Sequence, residues 1–284
     1  MRIAFDCENC GTNYRVDAAR AGQSGKCRHC GATIRVPVPP PPPETSESGS
    51  PILRHVERTK PFEPVIGDGE HIDSITEHIE RHIGEVTMVF HEIVSDLVHI
   101  DVHHVPPEPG RDFHTLITTG MSEKLMTVPE GAEDFCFAEL VLCLPSDWKL
   151  TREDFADEVN YWPIRLLKSL ARLPHEYDTW LGPGHSIPNG GEQPEPYAKN
   201  TRFCCAMIVP AIRFGKDFLR LETADERTIN FYSVWPLLPD ETEFKLKHGY
   251  DELLDRMLSR DVTDVIDVKR QSAVARRGWW PFAR

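Results

Sequence analysis

The chain has 284 residues, of which 40% are hydrophobic and 9% aromatic, and it carries a formal net charge of −13 at pH 7. This composition excludes a disordered or fibrous protein, and the acidity argues against a nucleic-acid-binding class. No apolar run reaches the roughly 18 residues of a membrane-spanning helix, and no signal-peptide core follows Met1, so the sequence predicts a cytoplasmic protein.

The first 36 residues contain two cysteine pairs in zinc-ligand spacing. Each pair is a C-x2-C knuckle followed at once by a glycine: Cys7, Cys10 and Gly11, then Cys27, Cys30 and Gly31. Zinc takes four thiolates in a tetrahedron, and a two-residue spacer lets both sulfurs of a knuckle reach one ion. The glycines allow the backbone to leave each knuckle at positive φ. The pattern predicts a small β zinc ribbon over residues 1–36, with two hairpins and one structural Zn²⁺ per chain.

Other interpretations of these cysteines stay open. A redox-active dithiol or a pair of disulfides uses the same spacing. A catalytic zinc is disfavoured, because four thiolates leave no position for water. Nucleic-acid binding by the ribbon is a further alternative, although four thiolates around a divalent ion nearly cancel the positive charge of its basic residues. Those residues are Arg15, Arg20, Lys26, Arg28 and Arg35.

Residues 37–64 are predicted to be a proline-rich linker. The stretch 37–50, PVPPPPPETSESGS, has almost no large apolar residue, and its prolines neither pair well in a sheet nor continue a helix. We expect a semi-rigid polyproline II segment followed by a looser Ser/Gly end. A docking ligand for a proline-recognising domain is the alternative.

Helical patterns occur at three places after the linker. Isoleucines at helical spacing predict an amphipathic helix over residues 70–84 that ends at Gly84, with His78 and His82 on its solvent side. These isoleucines are Ile72, Ile75, Ile79 and Ile83. A second helix is expected over residues 163–173, ended by Pro174, and a third over residues 241–259.

Seven stretches have the alternation or apolar character of strands. They are residues 86–90, 97–105, 113–119, 135–144, 203–210, 218–221 and 229–236. Residues 135–144 are nearly all apolar, which predicts a central strand covered on both faces. Strands and helices follow no regular βαβ rhythm, so the predicted class is α+β: a mixed β-sheet with packed helices, preceded by the small β zinc ribbon.

Three side chains of the predicted strand 97–105 are candidates for a second metal site. His99, Asp101 and His103 share one face, because side chains alternate along a strand. Two imidazoles and a carboxylate suit zinc or iron, with His114 or His185 as a further ligand. A metal-dependent enzyme that uses His99, Asp101 and His103 is therefore an alternative function. The competing interpretation is a solvated strand face with hydrogen-bonded histidines.

Residues 177–200 are rich in Gly, Pro and Asn and predict a long ordered loop of the kind that often binds partners. The loop contains His185 beside Ser186, but adjacent residues rarely meet the geometry of a nucleophile and its base. The sequence has no G-x-S-x-G elbow, H-E-x-x-H helix or phosphate-binding glycine loop. We therefore predict that the protein is not an enzyme and has no catalytic residue.

Three stretches resemble the Suppressor of fused family as it occurs in bacteria. They are residues 118–122 (TTGMS), residues 139–145 with Trp148, and the long run 162–200; Phe231, Pro236 and residues 241–249 fit the same pattern. The resemblance covers about residues 65–260 and implies an α+β protein-binding domain without catalytic residues. It also implies a sequestering role like that of the eukaryotic members, or an immunity role in which the protein neutralises a toxin.

The predicted function is protein binding by a module that carries a structural zinc ribbon. Residues 1–36 carry a net +3 and residues 268–284 a net +5, so residues 37–267 carry −21. Such a surface favours a basic protein partner, and loop 177–200 is the predicted binding surface.

The predicted boundaries are residues 1–36 for the ribbon, 37–64 for the linker, 65–260 for the Suppressor of fused-like domain and 261–284 for a basic aromatic tail. The arginines and tryptophans of this tail suit a membrane surface, a protein groove or the chain's own acidic domain.

Overall fold

The structure is a computed structural model that describes residues 2–37, 44–55, 58, 60–65, 69, 71–92, 94–191 and 193–275. The chain divides into two compact units. The small unit comprises Met1–Thr45 with Pro51–Leu53, and the large unit comprises Ser46–Ser50 with Arg54–Arg284.

The described residues of the small unit form three antiparallel hairpins. Its strands are β1 (Arg2–Asp6), β2 (Asn13–Asp17), β3 (Ser24–Lys26), β4 (Thr33–Arg35), β5 (Glu44–Thr45) and β6 (Pro51–Ile52). They pair as β1 with β2, β3 with β4 and β5 with β6. The first two hairpins are those predicted for the ribbon. The third lies within residues that the sequence predicts as linker.

The large unit contains an eight-stranded sheet. Its strands are β7 (Met88–Phe90), β8 (Asp101–Val105), β9 (Phe113–Thr119), β10 (Phe137–Pro145), β11 (Ser186–Pro188), β12 (Cys205–Pro210), β13 (Arg220–Glu222) and β14 (Thr228–Leu237). The order is β11-β12-β14-β10-β9-β8-β7, and β13 also pairs with β14. All pairs are antiparallel except β10 with β14. β10 occupies the middle of this order, as its apolar sequence predicts.

In the part of the chain that the structure describes, four α-helices accompany the sheet, which confirms the α+β class. They are α1 (Ile72–His82), α2 (Glu158–Tyr177), α3 (Pro239–His248) and α4 (Tyr250–Leu258). None of the helices in the described residues has the length and apolar character needed to cross a membrane.

Two predictions about helices are wrong, one about where a helix ends and one about whether a helix is continuous. Pro174 lies inside α2 and does not end it, because the amides of Asp178 and Thr179 still donate to the carbonyl of Pro174. The proline removes only its own N–H from the helix. The single helix expected over residues 241–259 is two helices, because Gly249 adopts φ 94°, outside helical geometry, between α3 and α4.

The two faces of the sheet hold separate hydrophobic clusters, because side chains alternate along each strand. On one face, Leu140 of β10 packs in a cluster with Trp162 of α2. On the other face, Val141 packs in a cluster with Ile79 of α1. Both faces of β10 are therefore covered, which positions the sheet between α1 and α2.

His78 packs against two members of the second cluster, Phe218 and Phe231, and the prediction that it faces solvent is wrong. The side chain is buried, its Nε2 donates to the carbonyl of Phe218 at 3.1 Å, and its ring stacks on Phe231 at 5.1 Å. His78 follows Ile75 by three residues, so helical periodicity places both on one face. His82, one turn later, lies half-buried beside it.

Residues 261–275 pack on the sheet of the large unit. The amide of Ile266 donates to the carbonyl of Cys143 at 2.9 Å, and Arg270 pairs with the buried carboxylate of Glu241. The predicted tail therefore begins with an attached segment. Trp279 and Trp280 lie outside the described residues, and the predicted domain boundaries stay predictions.

Candidate metal centre and binding loop

The four ribbon cysteines converge between the first two hairpins. The Sγ atoms of Cys7 and Cys30 are 3.7 Å apart, as are those of Cys10 and Cys27, and all four lie within 4.8 Å of one another. Thiolates bound at about 2.3 Å to one ion are about 3.8 Å apart in a regular tetrahedron. The four cysteines therefore fit a single tetrahedral metal ion.

Backbone geometry places these sulfurs. The amide of Gly11 donates to the carbonyl of Cys7 at 2.8 Å, and the amide of Gly31 donates to the carbonyl of Cys27 at 2.9 Å. The two glycines adopt φ of 70° and 72°, the positive values that the sequence predicts. Both knuckles are thus the same tight turn, which directs two sulfurs to one side.

Tyr14 contacts the metal-ligand cluster from outside it. Its hydroxyl accepts from the amide of Arg28 at 2.8 Å and donates to Sγ of Cys27 at 3.1 Å. This hydrogen bond is the largest of the interactions that lower the pKa of Cys27 to about 5, and the backbone amides of Cys30 and His29 add to it, so the thiolate forms readily at neutral pH. Burial raises the pKa of Cys7 to about 11, so that thiol ionises at neutral pH only beside a cation.

The structure brings His99 and Asp101 together but leaves His103 apart from them. Nε2 of His99 lies 3.0 Å from Oδ1 of Asp101, whereas Nε2 of His103 lies 3.2 Å from the hydroxyl of Thr119. His91 joins instead, with Nδ1 2.7 Å from Oδ2 of Asp101. Strand alternation gave no signal for His91, because it precedes β8 and reaches the carboxylate through a loop.

The other histidines considered as ligands have different neighbours. Nδ1 of His114 lies 2.8 Å from Nε2 of His104, and the ring of His185 packs against Trp180 with centroids 4.4 Å apart. The hydroxyl of Ser186 accepts from Nζ of Lys245 at 3.0 Å. Among the described residues, neither His114 nor His185 belongs to a group of metal-ligand atoms.

The stretches 118–122 and 139–145 meet at a buried carboxylate. Glu139 accepts from the amide of Ser122 at 2.9 Å, from its hydroxyl at 2.6 Å and from the hydroxyl of Thr118 at 2.6 Å. His175, from the third stretch, donates from Nε2 to the carbonyl of Met121 at 2.9 Å. All five residues are buried. These buried residues of the three stretches therefore hold the fold together and are not themselves part of a binding surface.

The loop 177–200 has a packed base and an exposed tip. The ring of Tyr197 stacks on Trp162 with centroids 5.3 Å apart, and Arg165 donates to the carbonyl of Tyr197 at 2.9 Å. Within the loop, β11 forms one end of the sheet order. The exposed residues described between β11 and Tyr197, called the binding tip below, are Gly190, Gly191, Gln193, Pro194, Glu195 and Pro196.

The large unit is similar to known proteins, in sequence to one family model and in fold to solved structures. The family model of the Suppressor of fused protein (SUFU) matches residues 96–271. A solved SUFU homologue from Neisseria gonorrhoeae has a TM-score of 0.53 and 16% identity, covering 73% of this chain and 99% of that one. The Sufu-Fu complex gives a TM-score of 0.51 and 16% identity, covering 74% of this chain and 93% of that one. At this identity, the solved structures establish the fold alone. No curated protein matches the sequence.

Proposed function

Because this chain belongs to the Suppressor of fused family, we propose that it functions by binding another protein. A relative with the same fold has been solved as the Sufu-Fu complex. The observation that carries the proposal here is the exposed binding tip beside β11, on a loop whose base is packed through Tyr197 and Trp162. A pre-ordered loop loses little conformational freedom on binding, which favours affinity.

We propose that the partner is a basic protein. Residues 37–267 carry a net charge of −21, and a field of that sign raises the association rate of a positively charged protein. Neutralisation of a toxin by an acidic immunity protein is one instance of this role. Sequestration of a regulatory protein is another, and both need the same complementary charge. Nucleic acid does not fit, since its phosphates are repelled.

For the ribbon, we propose one structural zinc ion held by Cys7, Cys10, Cys27 and Cys30. The sulfur spacing supports this assignment, and thiolates are the ligands zinc prefers in closed sites. Zinc supplies folding free energy to such small units. Because four thiolates complete the coordination shell, the site would stabilise the ribbon and not activate water.

We further propose that the protein is not an enzyme and works in the cytoplasm. The family resemblance brings no catalytic residue, and no sequence motif supplies one. Among the described residues no cysteine forms a disulfide, which suits a reducing compartment. The predicted division into ribbon, linker, Suppressor of fused domain and tail remains part of this proposal.

Affinity capture with matched surface variants tests the proposal. The full-length protein is immobilised beside two variants, Glu195→Arg in the binding tip and Glu243→Arg on α3, which make the same change of charge at exposed positions. Wild type and Glu243→Arg should retain a basic protein from native lysate at low salt and lose most of it at high salt. Glu195→Arg should retain much less. Recovery of no protein at either salt, or equal recovery by both variants, contradicts the proposed function or its binding surface.

A further inference from the structure

A group of metal-ligand atoms in the large unit has no part in the proposed protein binding. His91, His99 and Asp101 each present one ligand atom, and the three atoms lie within 4.8 Å of one another. The group, called the histidine cluster below, lies at the start of β8, with His91 directly after β7 and His99 two residues before Asp101. We propose that the histidine cluster binds one divalent transition-metal ion of the zinc class.

Neighbouring groups already orient two of the three ligands. The hydroxyl of Ser95 lies 2.5 Å from Nδ1 of His99, and the amide of Glu92 donates to Oδ1 of Asp101 at 3.1 Å. Ser95 and Asp101 are both buried. Metal-binding histidines nearly always bond a second group through their other ring nitrogen, and ligating carboxylates are themselves hydrogen-bonded. The cluster has both features.

The proton positions are compatible with metal binding. An ionised Asp101 only accepts hydrogen bonds, so in the metal-free state Nδ1 of His91 and Nε2 of His99 carry hydrogens. A metal ion requires these two nitrogens to be unprotonated. The proton of His99 then resides on Nδ1, where the hydroxyl of Ser95 accepts it, and the proton of His91 resides on Nε2.

The ligand types and their exposure select the class of ion. Two imidazoles and one carboxylate suit zinc and similar transition metals, whereas calcium and magnesium prefer oxygen ligands. The side chain of His91 is 70% exposed, which gives an ion access, while Asp101 is only 7% exposed. Three protein ligands leave zinc an open fourth position for water or a partner's side chain.

The arginine that binds Glu92 does not compete for the carboxylate of the cluster. Nη2 of Arg172 lies 2.6 and 2.7 Å from the two carboxylate oxygens of Glu92, so this cation is already paired. Asp101 is therefore available to a metal ion, with the two histidines as its close partners.

Zinc content of the full-length protein tests the site. Wild type, His91→Ala and His99→Ala are equilibrated with excess zinc chloride and moved into metal-free buffer, and the zinc per chain is measured by elemental mass spectrometry. Two variants serve as controls. His103→Gln changes the strand-face histidine outside the cluster, and His248→Ala removes an exposed histidine whose one carboxylate neighbour, Glu252, lies at 3.7 Å.

We expect His91→Ala and His99→Ala to hold one zinc fewer per chain than wild type, and both controls to hold the wild-type amount. The result is a difference between variants, so it does not depend on whether the ribbon binds its own ion. Cobalt substitution gives a second readout. Subtracting the His91→Ala spectrum from the wild-type spectrum leaves the absorption of cobalt in the histidine cluster, and this difference should lack the thiolate-to-cobalt band of the ribbon. Equal zinc content in wild type and His91→Ala, or an equal loss in His248→Ala, overturns the proposal.

Discussion

Glu139 and Ser122 are joined by two hydrogen bonds in the middle of the large unit. The carboxylate accepts from the amide of Ser122 at 2.9 Å and from its hydroxyl at 2.6 Å, and neither residue is exposed. Burial still raises the pKa of Glu139 to about 7, because the loss of hydration penalises the charged form more than these hydrogen bonds favour it. The carboxyl group therefore titrates near neutral pH inside the native protein.

The first prediction is that the contribution of Glu139 to stability falls as the pH rises towards neutrality. Glu139 titrates near 4.5 in an unfolded chain and at about 7 in the native protein, so between these values the native state binds the extra proton. The contribution of this group is fully present below about pH 4.5 and is lost as the pH passes about 7, a change of about 3 kcal/mol.

Urea unfolding of wild type and Glu139→Gln between pH 4.5 and 8 measures this effect. The glutamine variant should lack the part of the slope that Glu139 contributes. Glu243→Gln is the control, because it removes an exposed carboxylate from α3 and should keep the wild-type slope. A Glu139→Gln variant with the same slope as wild type would count against the raised pKa.

The second prediction concerns Gly120, which allows the chain to turn towards Ser122. Gly120 adopts φ 101°, and a Cβ there would lie 1.8 Å from the carbonyl oxygen of His99. Gly120→Ala should therefore prevent folding, or lower the free energy of unfolding by several times the cost of placing alanine at a positive φ alone. Gly110→Ala is the matched control, because φ is 92° and no atom lies within 4 Å. Its expected cost is about 1 to 2 kcal/mol.

Urea unfolding of both glycine variants separates the clash from the backbone strain. The strain is common to the two positions, so the difference in the free energy of unfolding reports the contact with His99. Equal losses at the two positions would show that the backbone near Gly120 moves away at little cost.

Features set by local sequence were predicted well. β9 has the predicted bounds, and β10 lies at the centre of the sheet, because uninterrupted apolar residues need cover on both faces. The ribbon sulfurs also come together as predicted, since the spacer and the glycine of each knuckle determine its turn. The motifs that resemble the Suppressor of fused family identified the fold correctly, and they meet around Glu139.

Features that depend on contacts between side chains and other parts of the chain were not predictable from the sequence. Residues 97–100 were expected to continue the strand, but β8 begins at Asp101, and the carboxylate of Glu92 binds the amide of Ile100. His91 contacts Asp101 from outside β8, and strand alternation does not reveal such a contact. His78 was misplaced for another reason: the aromatic contacts that bury it come from Phe218 and Phe231, which are distant in sequence.

The third prediction is that Arg270 is essential for stability. Its Nη2 lies 2.6 Å from Oε2 of Glu241, a carboxylate with no exposure to solvent. Arg270→Ala leaves that charge buried without its cation, and we expect a loss of about 3 to 5 kcal/mol. Arg256 pairs with Glu252 at 3.2 Å on the surface and lies 4.4 Å from the centroid of the Phe244 ring, so Arg256→Ala should cost about 1 kcal/mol or less.

Urea unfolding compares the two arginine variants, and a chain cut after residue 260 extends the test. The shortened chain lacks Arg270 and the amide of Ala273, which also donates to Glu241 at 2.8 Å, so it should be at least as unstable as Arg270→Ala. A stable shortened chain would support the predicted domain boundary at residue 260 and would contradict a structural role for Arg270.

The fourth prediction concerns Tyr14 and rests on the proposed zinc site. Tyr14→Phe removes the hydrogen bond to Sγ of Cys27 but keeps a ring to stack on Phe5, whose centroid lies 5.4 Å away. Without this hydrogen bond the pKa of Cys27 should rise, so zinc competes less well with protons. Groups that support metal ligands typically contribute about 10- to 100-fold in affinity. We expect a loss of that size at pH 7, measured by competition with a chromophoric chelator.

Two further variants make the Tyr14 measurement interpretable. Phe5→Leu removes the stacked ring but keeps the hydroxyl of Tyr14, and it should bind zinc nearly as tightly as wild type does. Cys27→Ser removes a ligand and should bind far more weakly than Tyr14→Phe. If Tyr14→Phe matches wild type while Cys27→Ser loses binding, the hydroxyl does not support the thiolate. If Phe5→Leu weakens binding as much as Tyr14→Phe, ring packing and not the hydrogen bond maintains the site.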